Sequence, residues 1–114
     1  MADLRELGEQ VHVELWVSLA ALLRSYTAVH GLNGNRQATI EHDENRILAR
    51  HKEKWLELKR KVATITWQRE NGTWGTLELT QDSRLRGVGM TPAEEEMDMA
   101  AEAWARDLML ELPR

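Results

Sequence analysis

The sequence predicts a two-layer α+β domain in which an N-terminal and a C-terminal helix cover one face of an antiparallel β-meander of about five strands. Two observations lead to this class. Broad apolar stripes with helical spacing lie near both ends of the chain, whereas residues 37–86 alternate apolar and polar side chains in short runs. Such alternation is typical of antiparallel strands with one buried and one solvated face.

The first helix is predicted from about Leu4 to His30, where apolar residues follow a helical period. Its stripe contains Leu4, Leu7, Val11, Leu15, Ser18, Leu22 and Tyr26, widened by Trp16, Leu19 and Leu23. A stripe of this width favours a helix that packs against both the sheet and the second helix. The segment Gly31-Leu-Asn-Gly-Asn35 tolerates a left-handed backbone, which predicts that the helix ends there.

The strands are predicted from alternation along the middle of the chain. They are Gln37–His42, Arg46–Arg50, Lys54–Lys59, Val62–Gln68 and Trp74–Thr80, with a continuation at Leu85. Their common apolar face carries Ala38, Ile40, Ile47, Ala49, Leu56, Leu58, Ala63, Ile65, Trp67, Leu77 and Leu79. The opposite face is mostly Thr, Glu, Arg and Lys, so we expect it to be solvated.

The hydrophobic pattern also selects the loop between the last two of these strands. A two-residue Asn71-Gly72 turn would divide the apolar residues between the two sheet faces. A three-residue loop over 70–72 instead pairs Ile65 with Leu77, and it puts Gly72 at the left-handed position that such loops require. The sequence therefore predicts the three-residue loop.

Residues 44–61 also fit a helix, because they are largely good helix formers. The residues at helical spacing are Ile47 or Leu48, His51, Trp55, Leu58 and Val62. We favour two strands, since the strand pattern uses every large aliphatic residue except Leu48, whereas Leu56 lies off the helical stripe. The helix is kept as the alternative because Lys52-Glu53 and Arg60-Lys61 are poor turn dipeptides.

The C-terminal helix is predicted to begin at Thr91, which can cap its first turn. Pro92 suits the first helical position, and Glu94–Glu96 would lie in the first turn, where the helix dipole favours anions. The predicted buried stripe is Met97, Ala100, Ala101, Trp104, Leu108 and Leu112, and Pro113 ends the helix.

The length of 114 residues predicts a single domain, residues 1–114. The chain contains no cysteine, which excludes disulfides, thiolate metal ligands and cysteine nucleophiles. No signal-peptide pattern opens the sequence, and its longest apolar run, Leu19–Leu23, is too short to cross a bilayer. We therefore expect a cytoplasmic protein that does not associate with membranes.

No residue pattern points to catalysis, a cofactor or a metal. Ser18, Ser25 and Ser83 lack a nucleophile-elbow sequence, and the sequence has no glycine-rich phosphate-binding motif. Glu9 and His12 are one helical turn apart, but nothing fixes a third ligand near them. We therefore expect a non-enzymatic protein with no catalytic, cofactor-binding or metal site.

The polar sheet face contains an anomaly that provides the leading functional hypothesis. In the predicted register, Leu48, Trp55, Val62 and Trp74 all point away from the helices. Several large apolar residues on one open face indicate an association surface, although the tryptophans could also shield strand edges and lysine stems. We predict a small protein-interaction module with contact residues Leu48, Trp55 and Trp74. Its partner is either another protein or a second copy of the chain in a homodimer.

A nucleic-acid-binding module is a weaker alternative. The basic residues of the sheet region are Arg46, Arg50, Lys52, Lys54, Lys59, Arg60 and Lys61. Trp55 would supply a stacking surface beside these phosphate-binding charges. Glu53, Glu57 and Glu78 interrupt the set and the whole chain carries a net charge of −4, so a solvated sheet face accounts for it better.

Scattered carboxylates support a second alternative. They are Asp3, Glu6, Glu9 and Glu14 on the first predicted helix and Glu41 and Asp43 on the first predicted strand. Together with the helix–meander–helix layout, they resemble the frataxin family, which binds iron and assists iron–sulfur assembly through acidic residues of these two elements. The resemblance covers architecture only, and it implies a metal-handling accessory protein.

Overall fold

The computed structural model describes residues 4–32, 37–87 and 94–110, with the side chains of the first helix described from Gln10 onward. Helix α1 spans Leu4–Gly31 and helix α2 spans Met97–Met109. The strands between them are β1 (Thr39–His42), β2 (Arg46–His51), β3 (Lys54–Lys61), β4 (Thr64–Arg69), β5 (Trp74–Leu79), β6 (Arg84–Gly87) and β7 (Glu94–Glu96). Each strand pairs antiparallel with the next, so the sheet order is β1-β2-β3-β4-β5-β6-β7.

The predicted two-layer α+β class, with both helices on one sheet face, is confirmed. Over the described residues the sheet has seven strands rather than about five. Strand β6 contains Leu85 and continues the meander as expected, whereas β7 lies in a segment that the sequence assigned to the last helix. Among the described residues, no helix combines the length and the apolar character needed to cross a membrane.

Residues 44–61 form strands, and the helical alternative is wrong. Strands β2 and β3 pair with Ile47 opposite Leu58, so both residues face the helices. The turn after β2 does form at Lys52-Glu53, although this is a poor turn dipeptide, with Lys52 in the left-handed region at a φ of 57°. The next turn falls at Val62, also at φ 57°, rather than at Arg60-Lys61. Strand β4 therefore begins two residues later than predicted.

The hairpin between β4 and β5 has the predicted three-residue loop. Ile65 lies opposite Leu77, and the Leu79 N–H donates to the Ala63 carbonyl at 2.7 Å. The loop closes where the Arg69 N–H donates to the Thr73 carbonyl at 2.9 Å. Gly72 has a φ of 86°, the left-handed conformation for which glycine is suited.

The predicted placement of Glu94–Glu96 in the first turn of the last helix is wrong. Glu94–Glu96 forms β7, in which Glu94 lies opposite Arg86 and Glu96 opposite Arg84. Cross-strand pairing with two arginines outweighs the helix-start preference of three glutamates. Helix α2 begins at Met97, whose N–H donates to the Ser83 carbonyl at 2.9 Å. Thr91 and Pro92 lie outside the described residues.

The core lies between both helices and one sheet face. Its buried residues are Trp16, Leu19, Ala20 and Leu23 of α1, Ile47, Ala49, Leu56, Leu58, Ile65, Leu79 and Leu85 of the sheet, and Met97, Ala100, Ala101, Trp104 and Leu108 of α2. The buried stripes of the sheet and of α2 agree with the prediction, apart from Leu112, which is outside the described residues. The stripe of α1 is rotated, since Ser18 is exposed and Thr27 is buried. The Thr27 hydroxyl donates a hydrogen bond to the Leu23 carbonyl at 2.8 Å.

Candidate functional site

The open face of the sheet lies opposite both helices, and its centre carries no charge. Alternation along β4 and β5 directs to this face a set of five uncharged side chains and, at the end of β5, the carboxylate of Glu78. The set, which we call the central patch, is Thr64, Thr66, Gln68, Trp74 and Thr76. The register places Thr66 opposite Thr76 and Gln68 opposite Trp74, so these side chains are direct neighbours.

Trp74 is the most prominent side chain of the central patch, because it is 69% exposed. The next residue explains why Trp74 points outward while Trp67 occupies the inner side. A Cβ placed on Gly75 would lie 2.6 Å from Nε1 of Trp67, so the glycine makes room for that indole on the helix side. Gly75 therefore faces inward, and period-2 alternation directs Trp74 into solvent.

Ion pairs border the central patch on both sides. Toward β2 and β3, Nε of Arg46 donates to Oε2 of Glu57 at 2.7 Å, and Nζ of Lys59 lies 3.7 Å from the same carboxylate. Toward β6, Nη2 of Arg86 donates to Oε2 of Glu78 at 2.7 Å. This hydrogen bond raises the pKa of Arg86 above its ordinary value. Both borders therefore contain paired charges of opposite sign.

Leu48, one of the predicted contact residues, offers almost no surface because it is only 4% exposed. It lies on the open face as predicted, with Glu41 and Glu57 directly across on the neighbouring strands. Arg46 and Arg50 are its neighbours on the same face of β2. Long side chains therefore surround Leu48, and their aliphatic parts shield it from solvent.

Trp55, the third predicted contact residue, is half-buried and lies away from Trp74. It stands opposite Arg50 and lines a cleft of about 210 Å³ together with Trp104 and Leu108 of α2. Strand β4 separates it from β5. The structure therefore does not bring the three predicted residues together. Trp74 alone of the three belongs to the central patch.

The sequence prediction missed the uncharged neighbours of Trp74. The sequence does contain the information needed to find them, because the three-residue loop already fixes which residues of β4 and β5 share a face. Thr64, Thr66 and Gln68 occupy the outward positions of β4 in that register. A run of outward positions without charge, beside strands rich in Lys, Arg and Glu, marks the patch.

The basic set proposed for nucleic-acid binding is largely engaged within the chain. Arg60 is 8% exposed and donates to backbone carbonyls, and Lys54 donates to the carbonyl groups of Asp107 and Leu110. Arg46 and Lys59 both contact Glu57. The structure therefore does not gather these residues into one basic surface.

The carboxylates named from the frataxin-like layout do not converge in the described part of the chain. Asp43 uses Oδ1 to accept the Asn45 N–H at 2.8 Å, and Glu41 faces solvent on β1. The side chains of Asp3, Glu6 and Glu9 are outside the described set. Among the described residues, no three His, Cys, Asp or Glu side chains are placed to hold one metal ion.

Comparison with known proteins adds no relative, since no protein-family model, curated protein or solved structure matches this chain.

Proposed function

We propose that this chain is a protein-binding module that binds another protein through the central patch. The observation that carries the proposal is an exposed tryptophan within an uncharged area that ion pairs border on both sides. Protein interfaces have this anatomy: their centres are depleted of charge and enriched in aromatic residues, and their rims are polar. Tryptophan is also among the residues that most often dominate binding energy.

The charges around the patch favour a protein over a nucleic acid as partner. A phosphate backbone requires a surface of net positive charge. Here the basic border residues Arg46 and Arg86 each have a carboxylate beside them, Glu57 and Glu78 respectively. A protein surface with an apolar pocket for the Trp74 indole, bordered by charges of both signs, fits this arrangement better.

The test begins with a photo-crosslinking amino acid at Thr66, which is exposed within the patch. The matched control carries the same group at Met99, a 56% exposed residue of α2 on the other side of the sheet. A partner that crosslinks from Thr66 and not from Met99 is then purified. Its dissociation constant for the unmodified chain is measured by titration calorimetry.

Trp74→Ser should weaken binding to that purified partner by about 2 kcal/mol, or about thirtyfold in Kd, because truncating an interface tryptophan removes a large buried contact. Met99→Ser should leave the Kd unchanged. Circular dichroism checks that both variants keep the fold. Equal crosslinking from both positions, or an unaltered Kd for Trp74→Ser, would overturn the proposal.

A further inference from the structure

The side of α1 that faces away from α2 carries a regular stripe. Its residues, which we call the outer stripe, are Gln10, Glu14, Val17, Ala21, Arg24 and Ala28, and all six are exposed. Successive members of the stripe are alternately four and three positions apart in the sequence. This spacing is the a/d repeat through which two α-helices pack along their length.

The contacts of α1 within the chain use its other sides. Trp16 and Leu23 enter the core beneath the helices. Tyr26 and His30 reach α2, where the Tyr26 hydroxyl donates to Asp98 at 2.6 Å and Nε2 of His30 lies 3.0 Å from Glu102. The outer stripe therefore lies on the part of the helix that α2 does not cover, and its Arg24 and Ala28 line an open cleft of about 320 Å³ together with Gln37 and Ala38.

The outer stripe is complementary to itself when a second helix runs antiparallel. A two-fold axis midway between Val17 and Ala21 places Val17 opposite Ala21 of the second copy. The same axis places Glu14 opposite Arg24 of the second copy, and Gln10 opposite Ala28. Because the axis repeats each pairing, the only two charged residues of the stripe meet their opposite charge twice.

A parallel arrangement does not have this property. It would place Glu14 against Glu14 and Arg24 against Arg24, and like charges at such positions repel. The sequence of charges along the stripe therefore favours one orientation. Alanine at positions 21 and 28 also lets two helix backbones approach closely, with Val17 supplying apolar contact at the centre.

We propose that two copies of this chain associate through antiparallel pairing of their outer stripes. This dimer is independent of the partner proposed for the central patch. Because α1 covers the sheet face opposite to Trp74, the dimer leaves both central patches exposed and directed outward. Each dimer then presents two equivalent binding surfaces, which raises its effective affinity for a partner with repeated sites.

Charge reversal tests the pairing by sedimentation equilibrium over a range of protein concentrations at low salt. Arg24→Glu should raise the dimer dissociation constant by about tenfold or more, because it converts two attractive pairs into two repulsive ones. Glu14→Arg should act in the same direction. The double variant Glu14→Arg/Arg24→Glu should restore the original constant, since it re-forms both pairs with the charges exchanged.

A cysteine experiment tests the orientation, and the chain suits it because it contains no cysteine of its own. Proteins carrying Val17→Cys and Ala21→Cys are mixed in equal amounts and oxidised. Antiparallel pairing predicts that disulfides between the two different proteins exceed those between identical ones. Parallel pairing would produce the reverse, with each position joined to itself.

Trp74→Ser serves as the control that separates this dimer from association through the open sheet face. It should leave the dissociation constant unchanged, because Trp74 lies on the opposite side of the sheet. The proposal is overturned by a monomer at all concentrations, by failure of the double charge exchange to restore dimerisation, or by a dimer that Trp74→Ser abolishes. Circular dichroism confirms that each variant is folded before its mass is interpreted.

Discussion

At each end of strand β3 a basic side chain contacts a helix, and these two side chains differ in burial. Arg60 is buried and Lys54 is half-buried. At the C-terminal end, the Arg60 guanidinium donates to the Glu44 carbonyl through Nε at 3.0 Å and Nη2 at 2.8 Å, and to the Val62 carbonyl at 3.0 Å. It also lies 5.9 Å from the ring centre of Trp16 on α1. The indole N–H of Trp16 donates to the Asp43 carbonyl at 2.8 Å.

At the N-terminal end of β3, the contacts lie in or near solvent. Nζ of Lys54 donates to the Asp107 carbonyl and, at 3.3 Å, to the Leu110 carbonyl, both at the end of α2. Nη2 of Arg69 lies 3.3 Å from the Asp107 carboxylate, whose side chain is 47% exposed. These cations neutralise the negative end of the α2 dipole.

Burial of the donor changes how much similar hydrogen bonds contribute to the free energy of unfolding. Water can replace Lys54 at the carbonyl groups of α2, so losing that donor leaves acceptors that remain hydrated. At the Arg60 end, the donor itself is buried beside the Trp16 indole and makes three hydrogen bonds, so its removal also leaves a gap in the packing. We therefore expect the two ends to differ in their contribution to stability.

The largest effect is expected for Arg60→Met. The substitution removes three charge-assisted hydrogen bonds and the contact with the Trp16 ring, and it should lower the free energy of unfolding by about 3 kcal/mol. Urea denaturation followed by circular dichroism measures the change. Lys59→Met is the matched control, because Lys59 is the preceding residue and points to solvent. A loss for Arg60→Met as small as that for Lys59→Met would contradict the assigned role of burial.

A smaller effect is expected for Lys54→Met, about 1 kcal/mol, since this is the typical upper contribution of a cation that lies near a helix C-terminus. The loss should shrink as salt is added, and amide hydrogen exchange near Leu108 should become faster. Lys61→Met, at the exposed far end of β3, is the control. If Lys54→Met costs more than Arg60→Met, the ranking of the two ends is wrong.

The parts of the fold that were predicted correctly depend on neighbours in sequence. Alternation and hairpin register are local properties, so the pairing of Ile65 with Leu77 and the loop ending at Gly72 follow from the sequence. Strand β7 depends on Arg84 and Arg86, which lie several residues upstream in the sequence, and on the favourable pairing of charges between strands. Local propensity alone assigned Glu94–Glu96 to a helix.

The candidate site likewise has one property that follows from local sequence and one that depends on residues elsewhere in the chain. The outward direction of Leu48, Trp55 and Trp74 follows from strand register, but their exposure does not. Leu48 is covered by charged neighbours from its own and adjacent strands, whereas Trp74 has the small Thr76 beside it. Exposure is therefore decided by the length of the neighbouring side chains, on the same strand and on adjacent ones, and the alternation pattern alone does not encode it.

The smallest effect on stability is expected for the contact between Tyr26 of α1 and Asp98 of α2. This contact is best followed through the pKa of Tyr26. Tyr26 is the single tyrosine of the chain, and its hydroxyl donates to Oδ1 of Asp98 at 2.6 Å. This hydrogen bond, followed by slight desolvation and the nearby negative charge, raises the pKa of Tyr26 above 10.0. Since the folded state favours the neutral phenol, the contribution is complete below pH 10 and is lost as the pH rises through the raised value.

Near-ultraviolet absorbance of tyrosinate follows this one titration directly. Asp98→Asn should move the pKa of Tyr26 back toward 10.0, because it removes both the charged acceptor and its electrostatic effect. Glu102→Gln is the control: Glu102 acts on Tyr26 only through its charge, so its removal should lower the pKa less. Equal shifts for the two variants would mean that charge alone, without the hydrogen bond, sets the titration, and that the Tyr26 hydroxyl does not hold α1 to α2.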